Sequence, residues 1–270
     1  MTESLQIAIA GASGRMGLAL IRALSTHHTL ELVACGVRAG TAQMAGTHFE
    51  QAGLAFAKEL IVEQPAALFT KADAIIDFTT PDSTVGLAGL AASHKKILVS
   101  GTTGLNSAQK EALIRAGEST QVVWSSNMSI GVNILMGLVE QTAARLGKEY
   151  DIEITEMHHK HKVDSPSGTA LSLGEAAAKG RDVNLNDVAV KSRDGMVGAR
   201  KEGTIGFTSL RGGDVIGDHS VIFAGAGETV TLSHHASSRD IFALGALRAA
   251  GWAAGKHAGF YTMRDVVSAT

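Results

Sequence analysis

Cysteine is nearly absent: Cys35 is the only one in 270 residues. No intrachain disulfide can form, which suits a reducing compartment. Cys35 sits in the apolar run LVACGV and reads as a small buried hydrophobe. Long hydrophobic runs are missing too, since no uncharged stretch approaches the ~18–20 residues needed to span a membrane. The opening MTESLQIAIAG carries no basic segment of the kind that starts a secretory leader. There is no excess of positive charge: 24 Lys and Arg against 26 Asp and Glu leave a net charge of −2 and a pI near 6.6. Nucleic-acid binders usually carry a basic domain, so that class is disfavoured. Neither an internal repeat nor a low-complexity linker is visible. A soluble, cytoplasmic protein without a membrane or nucleic-acid partner is the expectation.

What is present is ample apolar material, with 45% hydrophobic residues and 19% charged, enough for a large core. Short apolar runs alternate with helical spacing in the first half. LQIAIA (Leu5 to Ala10), LELVACGV (Leu30 to Val37), AIIDF (Ala74 to Phe78), ILVS (Ile97 to Ser100) and VVWSS (Val122 to Ser126) read as strands. Residues 15–24, 83–92 and 107–117 read as helices between them. Such alternation predicts a Rossmann-like parallel sheet covered on both faces. After Asn127 a helix over 132–146, a strand over 151–158 and a helix to about Lys179 precede a run of strands. VAVKSR, GTIGFTSLR, VIGDHSVIFA and ETVTLSHHAS follow one another like a meander, which predicts a largely antiparallel sheet. Residues 240–254 read as a closing helix. The fold class is therefore α/β, with a parallel sheet in the first part and an α+β second part.

Gly11-Ala12-Ser13-Gly14-Arg15-Met16-Gly17 lies between the first strand and its helix. Its G-x-x-G-x-x-G spacing differs from the usual G-x-G-x-x-G. The physics is shared: glycines permit a tight turn and a close backbone approach to a pyrophosphate, and the helix N-terminus favours the anion. An acid about 20 residues further on normally holds the ribose 2′-hydroxyl. Here the second strand ends in Gly36-Val37-Arg38. Arginine suits a 2′-phosphate, so NADPH is expected to be preferred, with NADH usable but weaker. Three further loops fall at expected strand ends: Phe78-Thr79-Thr80-Pro81, Gly101-Thr102-Thr103-Gly104 and Ser125-Ser126-Asn127-Met128. Ligands of open α/β sheets sit outside those ends.

Glu156 to Thr169, EMHHKHKVDSPSGT, packs His158, His159, Lys160, His161 and Lys162 into five positions at a strand-to-helix corner. Lysine offers a point charge for a carboxylate and histidine a proton near neutral pH. A helix starting near Pro166 to Thr169 would add backbone N–H groups around Gly168 and Thr169 as a second anion seat. A small dicarboxylate could bridge these elements. A solvated cationic loop is the bland alternative, with His161 the readiest bystander. Zinc is disfavoured because no cysteine is near and the lysines repel a dication, so no metal is expected. His234 and His235 could approach the same place, although spacing alone does not show it.

The chain resembles the dihydrodipicolinate reductase family through IAIAGASGRMG, IIDFTTP, SGTTG, SSNMSIGVN, E-x-HHKHKVDSPSGTA, GTIGF, R-x-GD-x-x-G-x-H (Arg211 to His219) and HHASSR, in the family's order. The resemblance implies a dinucleotide-binding domain over 1–129 completed by 239–270. It further implies a substrate-binding and oligomerisation domain over 130–238 with an open mixed sheet, and a homotetramer. The family's catalytic positions match His158 and Lys162, and its carboxylate-holding positions match His159, Gly168 and Thr169. Cofactor positions match Gly11, Ala12, Ser13, Gly14, Arg15 and Met16, then Gly101, Thr102 and Thr103, then Ser125, Ser126, Asn127 and Met128. Arg38 matches the position associated with the 2′-phosphate, while Val37 departs from the acid many relatives carry. The implied activity is NAD(P)H-dependent reduction of 4-hydroxy-tetrahydrodipicolinate in diaminopimelate and lysine biosynthesis. Rival readings fare worse. An aspartate-semialdehyde type of enzyme needs a catalytic cysteine, and Cys35 is on a strand. A homoserine-type dehydrogenase with a Rossmann half is the other near rival, and a redox-sensing repressor needs a basic DNA-binding module.

Overall fold

The computed structural model describes residues 4–268, so the outermost residues of the expected N- and C-terminal segments lie outside the described residues. Two compact units emerge, Met1–Ile130 with Asp240–Thr270, and Gly131–Arg239.

The first unit is built on β1 (Leu5–Ala10), β2 (Leu30–Gly36), β3 (Ile61–Val62), β4 (Ala74–Asp77), β5 (Ile97–Ser100), β6 (Gln121–Trp124) and, from the end of the chain, β12 (Gly259–Tyr261). All pairings are parallel, in the order β12-β6-β5-β4-β1-β2-β3. Because side chains alternate along a strand, each strand feeds two cores. Ile7 and Ile9 join α1 (Arg15–Leu24), α9 (Asp240–Ala253) and α10 (Met263–Ser268) on one face. Ala8 and Ala10 join α3 (Pro65–Lys71), α4 (Pro81–His94) and α5 (Ser107–Gly117) on the other. All four residues of β4 and of β5 are buried, which is why these runs are continuously apolar rather than alternating. Between β2 and α3 lie α2 (Ala42–Gln51) and a 3₁₀ turn (Ala55–Leu60), which the apolar periodicity did not announce. The closing helix folds back because Ala243, Ala246, Leu247, Ala250 and Ala253 form a buried stripe.

The second unit comprises α6 (Ile130–Arg145), β7 (Asp151–His158), α7 (Gly168–Gly180), α8 (Leu185–Val188), β8 (Ala189–Val190), β9 (Ile205–Arg211), β10 (Gly217–Ala224) and β11 (Thr229–Ala236). Its strand order is β11-β10-β7-β9-β8. The expected antiparallel meander holds only on one side: β10 pairs antiparallel with β7 and β11, whereas β9 runs parallel to both β7 and β8. The sheet is therefore mixed. The cause is the long connection before β9. Its sequence KSRDGMVGARKEG holds three glycines at positive φ (Gly195, Gly198, Gly203), so only Ala189 and Val190 of the expected strand VAVKSR pair. Arg200 then pins the connection by donating to Asp151, Glu153 and the carbonyls of Ile152 and Thr204. One sheet face is dry: Ile152, Ile154, Phe207, Val221 and Phe223 pack on Val139, Ala170 and Leu173 from α6 and α7. Each fully buried phenylalanine there contributes about 1.5–3 kcal/mol.

No helix among the described residues is long and apolar enough to cross a membrane.

Candidate active site

In the first unit, the chain must reverse direction after β1. Gly11 does so at φ +77°, a conformation that costs a glycine nothing. The Gly11 and Ala12 amides both donate to the Gly36 carbonyl, 3.1 and 3.0 Å away, and tie the turn to β2. Gly14 caps α1, and the first helical bond runs from Leu18 to Gly14 at 2.9 Å. The amides of Arg15, Met16 and Gly17 thus precede the helical ladder, the arrangement that receives a phosphate. At Gly17 a methyl group would overlap the Ala12 carbonyl. The third glycine therefore serves the close packing of helix and turn.

A cavity of about 670 Å³ opens beside this turn, and Gly11, Ser13, Gly14, Arg38, Glu63 and Thr79 are among its lining residues. The first strand has β2 on one side and β4 on the other, so the cavity occupies the switch point where open α/β sheets bind ligands. Arg38 is where the sequence predicted. Glu63 was not foreseen. It follows β3 and accepts a hydrogen bond from the Ala42 amide at 3.0 Å, capping α2 from a distance in sequence.

Two of the other predicted loops, Phe78 to Pro81 and Gly101 to Gly104, are drawn together by a buried carboxylate that sequence reading also missed. Asp77 ends β4 with no solvent exposure. Its Oδ1 accepts from the Thr79 amide (3.0 Å) and hydroxyl (2.6 Å). Its Oδ2 accepts from the hydroxyls of Thr84 (2.6 Å), Ser100 (2.7 Å) and Thr102 (3.1 Å). The Thr102 hydroxyl consequently points inward, while Thr103 is exposed. The Ala12 and Met128 side chains are core residues, which leaves their backbone as the part able to face a ligand. Ser126 is exposed, and Asn127 Oδ1 accepts from the Ser129 amide at 2.8 Å.

In the second unit, the basic corner follows β7. Every second residue of this strand is buried, and Glu156 and His158 continue the face begun by Ile152 and Ile154. His158 Nδ1 lies 2.5 Å from Glu156 Oε2. Arg211, beside His158 in the β7–β9 register, grips the same carboxylate with two bonds of 2.8 Å. The Ser167 amide reaches Glu156 Oε1 at 3.3 Å, and the Ser167 hydroxyl caps α7 by accepting from Ala170 at 3.2 Å. Gly168 and Thr169 hold the first two positions of α7, ahead of the Leu171-to-Ser167 bond. Lys162 donates to both oxygens of Asp164 at 2.8 and 2.9 Å. His159 and His161 face each other with ring centroids 6.2 Å apart, and His161 is exposed. His219 lies against His158 with ring centroids 5.1 Å apart and meets Ser167 Oγ at 3.2 Å. His235 pairs with Asp218 at 2.5 Å on the exposed side. Among the described residues no group of three or more His, Cys, Asp or Glu is placed to hold a metal.

Electrostatics separate these groups. Burial raises the Glu156 carboxyl, but hydrogen bonds from Arg211, Ser209 and His158 and the guanidinium charge outweigh it and pull it from 4.5 to about 2. Burial, helped by the charge of His158, lowers His219 from 6.5 to about 4. The His159 imidazole is lowered by desolvation and then by its electrostatic interaction with Arg239, His158, His161 and Lys162.

Both shifts make acid destabilising. As pH falls, unfolded His219 takes up its proton near 6.5 but the folded side chain only near 4. Unfolded Glu156 takes up its proton near 4.5 but the folded group only near 2. Stability should fall first between about pH 6.5 and 4 and again between about 4.5 and 2, by on the order of 3 kcal/mol for each group. Urea unfolding at pH 7, 5 and 3 measures it. His219→Asn should flatten the upper part of the profile alone; an unchanged profile would refute the assignment.

Family models described as dihydrodipicolinate reductase, N-terminus, and dihydrodipicolinate reductase, C-terminus, match residues 5–128 and 131–267. The chain belongs to the dihydrodipicolinate reductase family. It is 51% identical to 4-hydroxy-tetrahydrodipicolinate reductase 1 of Mesorhizobium japonicum over 97% of this chain and 96% of the relative. It is 50% identical to the 4-hydroxy-tetrahydrodipicolinate reductase of Brucella abortus, over 97% of this chain and 98% of that one. Among solved structures it resembles a dipicolinate-bound dihydrodipicolinate reductase from Paenisporosarcina, with TM-score 0.77, 25% identity and coverage of 96% and 97% of the two chains. Family membership makes the chain an oxidoreductase, and its Rossmann-type unit is a dinucleotide-binding fold suited to NAD(P)H.

Sequence reading missed Glu156, Arg211, Ser167 and His219 as parts of the site. Glu156 was legible in principle, two positions before His158 on a strand and so on the same face. Arg211 and His219 lay in a family motif, but only the sheet register brings them to Glu156.

Proposed function

We propose that this chain reduces 4-hydroxy-tetrahydrodipicolinate to tetrahydrodipicolinate in the diaminopimelate route to lysine, with NADPH as the preferred reductant. Family membership across nearly the whole chain carries the reading. The first unit holds the dinucleotide, and the unit over 130–238 holds the diacid and assembles the homotetramer in the cytoplasm. The dipicolinate ligand of the Paenisporosarcina enzyme, a flat dicarboxylate, supports the choice of substrate.

The nicotinamide supplies a hydride from its C4 to C4 of the substrate ring. The residues of this chain bind the acid groups and handle protons. The Gly168 and Thr169 amides at the start of α7 and the His159 side chain seat the carboxylates. Loss of the 4-hydroxyl as water belongs to the same overall conversion; the ring charge that develops on hydride arrival is quenched by a proton, and Lys162 donates it with His158 assisting. On the first unit, the amides around Gly14 to Met16 receive the pyrophosphate, and the backbone of Gly101 to Thr103 and Ser125 to Met128 lines the nicotinamide end. Arg38 receives the 2′-phosphate. NADH is used more weakly, and Glu63 in the same cavity suits a ribose hydroxyl better than a phosphate.

Oxidation of NADPH with substrate generated in situ, followed by absorbance, tests the function; binding without turnover would refute it. Arg38→Ala should raise KM for NADPH by about 10–100-fold, the loss of a charge-assisted contact. KM for NADH should move only a few-fold. Equal changes for both cofactors would remove Arg38 from the 2′-phosphate.

A further inference from the structure

We propose that Glu156 is a positioning residue that keeps a proton on Nδ1 of His158, so that Nε2 is the nitrogen through which His158 exchanges a proton with the substrate. This rests on the reading above, in which His158 assists the reduction.

Glu156 and His158 are two residues apart on β7 and share its buried face. The Glu156 side chain is 1% exposed, and both of its oxygens are engaged: Oε2 by His158 and Arg211, Oε1 by Arg211 and the Ser167 amide. A carboxylate held in a two-pronged guanidinium grip remains ionised and has no proton to give. The 2.5 Å contact with His158 therefore has one sense, with Nδ1–H donating to Glu156. Arg211 is itself anchored on the Leu210 and Asp164 carbonyls, so the clamp joins β9 to the corner. The opposite edge of the imidazole faces Gly217 on β10, where a methyl group would stand 3.0 Å from Nε2. Glycine at this position leaves the ring its place.

The charges around His158 are consistent with this division. Glu156 faces it from its own strand, Arg211 from β9 and His219 from β10, with His159, His161 and Lys162 at the corner. His219 has Asp218 and His234 near it and stays uncharged at neutral pH. Glu156 is thus the anion in direct contact with His158. When the Nε2–H bond breaks and its proton passes to the substrate, the imidazole is left neutral with Nδ1–H still bound to Glu156. Solvent returns the Nε2 proton after turnover.

Nitrogen-15 NMR of histidine-labelled wild-type protein reads the tautomer directly. Neutral His158 should carry its proton on Nδ1; a proton on Nε2 would overturn the proposal. Glu156→Gln keeps the side chain's shape, and its oxygen can still serve Arg211. Whichever way the amide turns, its NH₂ meets a donor of Arg211 and the anion beside Nδ1 is gone, so the proton should no longer be fixed on Nδ1 and the two tautomers should mix. kcat should fall about 10–100-fold, as for loss of a partner that orients a histidine, with KM for NADPH unchanged. A variant that loses only folded protein, with kcat per folded molecule and the His158 tautomer intact, would show a merely structural role and sink the idea. In a His158→Ala background, Glu156→Gln should cost nothing more in kcat; a further loss would mean that Glu156 does not act through His158. If His158→Ala alone keeps wild-type kcat, the assisting role of His158 fails, whereas a wrong tautomer in the wild type would condemn the Glu156 assignment by itself.

Discussion

Lys162→Ala should lower kcat by about 10²–10⁴-fold, the usual worth of a positioned general acid, with KM for the diacid rising only a few-fold. Lys162 is held at two points. Its amide donates to the His159 carbonyl at 3.1 Å, closing the corner, and its ammonium sits on Asp164 with a side chain only 19% exposed. Asp164 lies below the usual carboxylate range because of that lysine, so it keeps its charge at neutral pH and fixes the ammonium in one place. On the proposed reading the start of α7 and His159 seat the carboxylates, so KM should change little. Lys162→Arg separates the two roles. Arginine keeps the charge but does not give up a proton, so KM should recover and kcat should not. Near-normal kcat for Lys162→Ala in single-turnover measurements would remove the lysine from the proton-transfer step.

Asp77→Ala should cost about 3–5 kcal/mol of stability, the penalty for breaking a buried, fully hydrogen-bonded charge. Three hydroxyls, from Thr84, Ser100 and Thr102, would be left facing apolar surroundings where they now meet one oxygen. The melting temperature should fall by roughly 10 °C. Asp77→Asn keeps the volume but turns an NH₂ toward one set of donors, so it should lie between wild type and Asp77→Ala. Ser100→Ala removes a single bond and should cost about 1 kcal/mol. Because Thr79 and Thr102 shape loops of the dinucleotide half, KM for NADPH should rise with the same variants. Calorimetry that finds Asp77→Ala within 1 kcal/mol of wild type would show that the buried carboxylate is not the knot holding these strand ends.

The comparison of Asp77 with the glycine turn shows where the chain is readable. Gly11, Gly14 and Gly17 announce themselves through spacing, since a tight turn between strand and helix is a local requirement. Asp77 looks like the polar end of an apolar run, and its five donors come from positions up to 25 residues away. The second unit repeats the lesson. β7 and β10 alternate buried and open positions, so their faces follow from the sequence. The parallel placement of β9 does not, because it depends on how Arg200 folds the polar connection back onto Asp151 and Glu153.

By itself the sequence determined the alternation of strands and helices, the glycine turn after β1 and the clustering of basic residues after β7, because each is encoded by residues close together along the chain. Only the tertiary structure decided what surrounds the charges. Register set Arg211 and His219 beside Glu156, and the neighbouring strand ends closed around Asp77. A buried ion must find its partners wherever packing puts them, and in a sheet those partners arrive from other strands.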